Sequence, residues 1–388
     1  MKRLAIITTH PIQYNAPFFE LLTKRHKIGI KVFYTWGESV LDGKYDPGFG
    51  KIIEWDIPLL QGYDYEFLEN IAKDKGSHHF RGIENPYIIG SIEIYNPDTI
   101  LVYGWAFKSH LKVLRYFKNK IPVLFRGDST LLDEQGFLSS LKRYLFLKWV
   151  YRHVDIALYV GKNNYDYFRK AGIKKDQLVF APHAIDNARF NCESNTCKEE
   201  AIGYRKKLNI AAGDFIFLFA GKLESKKNPE ILLKAFLGMN FNNQAHLIIV
   251  GNGELEDELK KQYLESQNIV FLDFQNQMKM PAVYEMANAF VLPSKGPGET
   301  WGLSVNEAMA NGKAIIVSDK CGCAVDLVDD GMNGYIFKAG NIIDLQNKMK
   351  AIYDKRGNLG NMQKSSGEKI KQFSMENLAA AVERLAAE

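Results

Sequence analysis

Eleven short apolar runs, rich in Val, Ile, Leu and Phe and without polar alternation, recur through the chain with helix-patterned stretches between them. In the first half they are Leu4–Thr8, Ile28–Tyr34, Thr99–Tyr103, Pro122–Phe125, Ile156–Val160 and Leu178–Phe180. In the second half they are Phe215–Ala220, His246–Val250, Ile269–Leu272, Ala289–Leu292 and Ala314–Val317. Runs of this kind form strands covered on both faces. Alternation with helices makes the sheets parallel and doubly wound. Each half supplies enough strands for one sheet, so the expected class is α/β with two Rossmann-like domains in series. Such sheets bind ligands beyond the carboxyl ends of their strands. Two of them facing each other would make a cleft, and the residues leaving the strands are where chemistry is sought.

The length of 388 residues agrees with two domains, because a single core seldom grows beyond about 250–300 residues. From Asp186 to Asp214 the strand pattern stops, and polar residues gather around Cys192 and Cys197. Residues 187–200 read as a linker, and Glu199–Leu208 as a short helix entering the second domain. The expected division is 1–190 and 200–369. The terminal stretch, Met375–Glu388, is predicted helical, with Leu378, Ala379, Val382 and Leu385 on one stripe.

No run approaches the roughly 18 apolar residues that cross a bilayer. Met1-Lys-Arg runs straight into the first strand, so no signal peptide is read and a cytoplasmic protein is expected. The four cysteines (Cys192, Cys197, Cys321 and Cys323) lack zinc-knuckle spacing. They are expected as unpaired thiols, with a metal or a bridge as the lesser alternative. Residues 1–190 hold 27 Lys and Arg against 20 Asp and Glu, whereas the remainder holds 23 against 25. The basic half suits phosphates, an acidic acceptor or an anionic membrane surface, or is simply solvated. No nucleic-acid partner is expected.

The most informative segment is Pro293-Ser-Lys-Gly-Pro-Gly-Glu-Thr-Trp-Gly-Leu-Ser-Val-Asn-Glu-Ala-Met-Ala310. It follows a predicted strand, crosses a Gly/Pro-rich loop and enters a helix near Gly302. Gly296, Gly298 and Gly302 allow close approach of backbone to a ligand. Free N–H groups at the helix start, near Gly302 and Leu303, suit a diphosphate. Glu299 precedes the helix and Glu307 lies more than a turn inside it, so the two carboxylates can hold hydroxyls on different parts of one extended ligand. The second segment, Phe219-Ala-Gly-Lys-Leu-Glu-Ser-Lys-Lys-Asn-Pro-Glu230, also runs from strand to helix. Asn228 is placed to be N-cap and Pro229 the first helical residue. Lys222, Lys226 and Lys227 cluster at that strand end, either to neutralise a departing pyrophosphate or as a solvated patch.

Glu299-x7-Glu307, followed by Ala-Met-Ala and Gly312, resembles the Glu-x7-Glu motif of the family 4 glycosyltransferases, the retaining group with the GT-B fold. Gly221-Lys-Leu-x3-Lys227 is similar to that family's phosphate-binding motif. The likeness continues through Val250-Gly-Asn-Gly253, Phe271–Tyr284, Val291-Leu-Pro-Ser294 and Asp330–Phe337, and Ala181-Pro-His-Ala-Ile-Asp186 looks like the segment ending the family's first domain. The resemblance implies that Glu307 holds the donor ribose and Glu299 the transferred sugar. It implies that Lys222 and Lys227 bind the diphosphate, assisted by backbone at Gly302 and Leu303, with Phe274, Gly298, Thr300 and Trp301 completing the donor site. It also implies that residues 370–388 return to pack on the first domain. Lys222 stands where the family usually has Arg, Asn228 where it has Gly, and Cys323 and Asp326 where it has Gly and Glu.

The first domain departs further, since its first strand ends in His10-Pro-Ile-Gln-Tyr-Asn-Ala-Pro17 instead of a Gly-Gly turn. His10, Gln13, Tyr14, Asn15 and Trp105 are expected to bind an acceptor, and Arg126 and Asp128 to take part in catalysis. No Asp-x-Asp or His-x-x-x-His is present. No metal or other cofactor is expected, and the leaving diphosphate would be met by lysines and helix N-termini. The pair Gly251-Asn-Gly253 lacks the third glycine of a dinucleotide fingerprint. Helix Leu138–Val154 mixes Lys142, Arg143, Lys148 and Arg152 with aromatic and aliphatic residues. It reads as an ordinary buried helix, with a peripheral membrane contact as the second reading.

The expected activity is retaining, metal-independent transfer of a hexose-type sugar from a nucleoside-diphosphate sugar, UDP favoured, to a glycan or lipid-linked acceptor in cell-surface polysaccharide synthesis. The alternatives are a GT-B-fold nucleotide-sugar epimerase and a non-catalytic sugar-binding scaffold.

Overall fold

A computed structural model describes all residues except 39–44, 47–50, 134–136, 242 and 388. Its strands are β1 (Arg3–Thr8), β2 (Gly29–Tyr34), β3 (Tyr45–Asp46), β4 (Lys51–Ile52), β5 (Asp64–Phe67), β6 (Thr99–Tyr103), β7 (Val123–Arg126), β8 (Ile156–Tyr159) and β9 (Leu178–Phe180). They continue with β10 (Phe215–Ala220), β11 (Ala245–Val250), β12 (Ile269–Leu272), β13 (Ala289–Leu292), β14 (Ala314–Ser318) and β15 (Gly334–Phe337). The chain divides into two units. One is made of Met1–Lys44, Ile57–His183 and Met375–Glu388, the other of Tyr45–Asp56 and Ala184–Ser374.

The first unit carries a parallel sheet in the order β5-β2-β1-β6-β7-β8-β9. Central strands such as Leu4–Ile7 and Ile100–Val102 are wholly buried, as strands with helices on both faces must be. The terminal helix Met375–Ala387 belongs to this unit and packs against helix Ala16–Lys24. Its apolar stripe of Leu378, Ala379 and Val382 is buried. Glu383 is fixed there by Arg25, whose Nε and Nη2 donate over 2.6 and 2.9 Å, and by Lys27 at 3.2 Å.

The second unit has a parallel sheet in the order β12-β11-β10-β13-β14-β15. Gly251 and Gly253 have a packing role. A Cβ on Gly251 would lie 2.0 Å from the Gly221 carbonyl, and one on Gly253 2.6 Å from that of Leu223. Both loops leave adjacent strands and are bonded through Gly221 N to Val250 O (3.0 Å) and Leu223 N to Asn252 O (2.9 Å). Side chains at 251 and 253 would push those loops apart.

Two expectations need correction. The supposed linker is largely ordered: Asn187–Phe190 and Asn195–Lys207 are helices, the latter capped by Ser194, whose Oγ accepts from Cys197 N. Polar composition there reflects capping and exposure. Cys192 and Cys197 are not free thiols but a disulfide, with Cα atoms 5.6 Å apart. The turn into the capped helix brings together cysteines only five residues apart, within the range a bridge spans. Cys321 and Cys323 are free and buried.

His110 in helix Lys108–Phe117 is wholly buried at the ends of β2 and β6. Its Nδ1 lies 2.9 Å from Tyr103 O and 3.2 Å from Gly104 O, and its Nε2 lies 2.8 Å from Thr35 Oγ1. Carbonyls only accept, so Nδ1 carries the proton and Nε2 accepts. Burial pushes the imidazole down to about 4, against the raising pull of the two carbonyls. Because the folded value lies below the usual 6.5 or so, the stability it contributes is full above about pH 6.5 and lost as pH falls toward 4, about 3 kcal/mol in all. His110→Gln should remove that slope, measured as urea unfolding free energy between pH 7 and 4; an unchanged slope would show that other groups cause it.

Candidate functional site

In the second unit the Gly/Pro-rich loop after β13 is held from three sides. The backbone N–H of Lys295 donates to Lys226 O over 2.9 Å, tying it to the loop after β10. Gly322 N donates to Glu299 O, and Cys323 N to Trp301 O, each over 3.0 Å. Gly322 has no substitute here, because a Cβ would fall 1.7 Å from Thr300 O. The Ser318 hydroxyl donates to Ser294 O.

This frame fixes the Glu299 carboxylate. It is 7% exposed, accepts from Ser294 Oγ over 2.9 Å, and lies 2.5 Å from Lys227 Nζ. Lys227 is carried there by a turn ending at Asn228, which adopts the left-handed conformation with φ +53° just before Pro229 starts its helix. Asn tolerates that region better than other residues bearing a side chain, which accounts for Asn at a position where the family pattern has Gly. Asn228 is the N-cap residue by position, but its side chain makes no capping bond.

Gly302, at φ +105°, turns the loop into helix Leu303–Ala310, whose start has no side-chain cap. The helix start therefore offers backbone N–H groups and the positive end of a dipole. Four residues beyond Leu303, Glu307 is 4% exposed and accepts 2.7 Å from the hydroxyl of Tyr284. Tyr284 is itself packed against Phe190 and Phe290. Trp301 turns inward, with Nε1 donating to Asn306 Oδ1 over 2.8 Å and its ring 5.8 Å from Phe373. The indole thus braces the loop. Lys222, Leu303 and Thr300 are partly exposed, and Gly298 is exposed.

Phe274 is half-buried and placed by Asn252, whose Oδ1 accepts from Phe274 N over 2.8 Å. The Asn252 amide also donates to Glu256 over 2.9 Å. Trp55 lies edge-on to Phe274 at 6.1 Å. Sequence reasoning missed Tyr284, Ser294 and Asn252 as partners of the site. Their only signal was membership of the matching stretches.

In the first unit, strand-end residues divide into braced and accessible ones. Arg126 is 6% exposed, and its two terminal nitrogens donate to Ala181 O and Pro182 O, each over 2.8 Å. Burial lowers its proton affinity, while Tyr103 and Asp128 raise it. The guanidinium thus clamps the segment after β9. Trp105 Nε1 donates to Tyr151 Oη over 3.2 Å, and its ring meets Phe146 at 5.3 Å. His10 Nδ1 lies 2.9 Å from Thr9 Oγ1, with its ring edge-on to Trp36. Gln13, Tyr14 and Asn15 are partly exposed, and Asn15 is the N-cap residue of helix Ala16–Lys24 without a side-chain capping bond. Asp128 faces His183, Oδ2 to Nε2 3.9 Å. Burial lowers the imidazole's proton affinity, partly countered by its bond to Asp128. His183 was not singled out from the sequence.

Residues 202–373 match the sequence profile of the glycosyl transferases group 1 family. Over that stretch the chain resembles the family's members. It is 30% identical over 143 residues to an uncharacterized glycosyltransferase of Methanocaldococcus jannaschii, a match covering 36% of each protein. Over 268 residues it is 25% identical to the Campylobacter jejuni N,N'-diacetylbacillosaminyl-diphospho-undecaprenol alpha-1,3-N-acetylgalactosaminyltransferase, covering 67% of this chain and 69% of that one. The match thus spans about a third of the first relative's length and two thirds of the second's. Among solved structures, Anabaena HepE in complex with UDP and glucose superimposes with a TM-score of 0.70 at 16% identity, with complete coverage of both chains. The architecture is GT-B, with two Rossmann-like domains.

Proposed function

We propose that this chain is a group 1 glycosyltransferase that moves a hexose-type sugar from a nucleoside-diphosphate sugar, a UDP-sugar in preference, to a lipid-linked or glycan acceptor in cell-surface polysaccharide synthesis. The observation that carries the reading is the grouping of Glu299, Lys227 and the uncapped helix start before Glu307 at neighbouring strand ends of one sheet. Carboxylates match sugar and ribose hydroxyls, and ammonium and backbone N–H groups match the diphosphate between them. Lys222 and Lys227 would offset the negative charge that grows on the leaving diphosphate, without a metal. Retention follows from the family likeness, with a leaving-phosphate oxygen taking the acceptor proton on the same face. Asp128 and His183 are the first-unit groups proposed to orient the acceptor hydroxyl. The C. jejuni relative acts on a diphospho-undecaprenol-linked sugar, and HepE was crystallised with UDP and glucose; both support this choice of substrates.

A membrane-linked acceptor also suits helix Phe137–Tyr151. Leu141, Leu145 and Phe146 are exposed there, although the sequence pattern read as burial, and Lys142, Arg143 and Lys148 are exposed among them. Apolar side chains flanked by cations fit an anionic lipid surface. No helix among the described residues is long and apolar enough to cross a membrane. The working location proposed is the cytoplasmic face of the cell membrane, by peripheral contact.

Calorimetry with UDP-, GDP- and ADP-sugars tests the donor class. A UDP-sugar should bind most tightly, and hydrolysis or transfer should follow only with water or an acceptor. No binding of any of them at millimolar concentration would sink the reading, and epimerisation without acceptor would replace transfer with isomerisation.

A further inference from the structure

The loop between β5 and the helix Ile88–Tyr95 in the first unit holds a second cluster of chemistry-bearing side chains. We propose that Asp74, His78 and His79 form a binding site for a divalent transition metal of the zinc class, separate from the sugar-transfer chemistry. The ligand atoms of the three residues lie within 4.8 Å of one another. His78 Nε2 is 3.2 Å and His79 Nε2 3.1 Å from the same oxygen, Asp74 Oδ2. A tetrahedral ion with bonds of about 2.0–2.1 Å keeps its ligands about 3.3–3.4 Å apart. The observed spacings are close to two edges of that tetrahedron, so small movements would admit the ion. Two imidazoles and one carboxylate are a common zinc donor set and leave a fourth position for water.

The backbone around the cluster is arranged before any ion arrives. Asn70, 3% exposed, staples both ends of the loop: its Oδ1 accepts from Ala72 N (3.1 Å) and Glu84 N (2.9 Å), and its Nδ2 donates to Gly82 O (2.9 Å). Gly76 N donates to Gly82 O over 3.1 Å. A Cβ on Gly82 would meet the Gly76 carbonyl at 2.1 Å, and one on Gly76 would meet His78 Nδ1 at 2.4 Å. Glycine at 76 thus leaves the space in which the His78 ring turns its Nε2 toward Asp74. Such a pinned, closed loop loses little further entropy on binding an ion. An exposed carboxylate merely hydrogen-bonded to two imidazoles is the competing account, and it predicts no affinity for metal.

The test uses the full chain without a histidine tag, stripped with chelator, and zinc chloride alone as the probe. Wild-type protein should retain one zinc after gel filtration, and His78→Ala/His79→Ala should lose at least 100-fold in affinity. Gly76→Ala, which moves a flexible exposed ring at little cost to the fold, should weaken zinc by about tenfold with an unchanged far-UV spectrum. Cobalt should give a tetrahedral visible spectrum without the sulfur charge-transfer band that cysteine ligation would add. Absence of micromolar zinc binding, or equal binding by the double histidine variant, overturns the proposal. Donor binding by the zinc-free protein reports separately on the transfer site.

Discussion

Glu307→Ala is expected to weaken nucleotide-sugar binding by about 10²–10⁴-fold, with the loss visible as a raised dissociation constant for the nucleotide alone. A buried carboxylate accepting from a ligand diol makes charge-assisted hydrogen bonds, each contributing about 1.5–3 kcal/mol. Two such bonds lost together give the stated range. The substitution also leaves the buried Tyr284 hydroxyl without the acceptor that lies 2.7 Å away. Glu307→Gln separates these effects. It keeps an oxygen for Tyr284 while removing the charge, so stability should recover more than affinity does. Equal nucleotide affinity in wild type and both variants would remove Glu307 from the donor site.

Lys227→Ala should be the more damaging change for turnover, lowering kcat by about 10²–10³-fold when a preorganised cationic donor is lost. It should also destabilise the protein. Glu299, 7% exposed, would keep Ser294 but lose the ammonium 2.5 Å away. Removing one partner of a buried pair costs about 3–5 kcal/mol. Lys227→Ala combined with Glu299→Gln should therefore regain most of the lost thermal stability while staying inactive. Single and double variants melting alike would mean that the pair is not coupled. A double variant with wild-type turnover would exclude both residues from the chemistry.

The two sheets were legible because their inner strands are covered on both faces and so have continuous apolar sequence. All eleven expected runs form strands, with ends differing by one residue or not at all. Two of the four edge strands, β5 and β15, were not legible. β5, Asp-Tyr-Glu-Phe, is only half covered, and β15 begins at Gly334, where a side chain would strike the Ile315 carbonyl at 2.0 Å. β5 interleaves acidic and aromatic residues, and the apolar part of β15 is only Tyr335–Phe337 after a Gly-rich turn. The candidate donor residues could be picked out because they are local: two loops, each leaving a strand and entering a helix. What holds those residues was not readable, since Tyr284 reaches Glu307 across 23 positions and Gly322 supports Glu299 across a similar distance. In the first unit the partners were equally hidden. Arg126 looked reactive because it ends a strand, yet its partners, the carbonyls at 181 and 182, lie 55 and 56 residues away. The Asp74 cluster escaped notice because its adjacent histidines fit neither zinc spacing considered.

The division of the chain also limits how such chains can be recombined. The first unit is assembled from three separate stretches, and residues 45–56 belong with the second, where Asn276 Nδ2 donates to Glu54 O over 2.6 Å and Met278 N to Asp56. A single crossover at residue 183 would give a hybrid whose tail and 45–56 excursion come from different parents than the surfaces they must fit. Transplanting the second unit between relatives therefore calls for cuts at four junctions, with Met375–Glu388 inherited alongside the amino-terminal part. The units of exchange in this lineage are sets of segments.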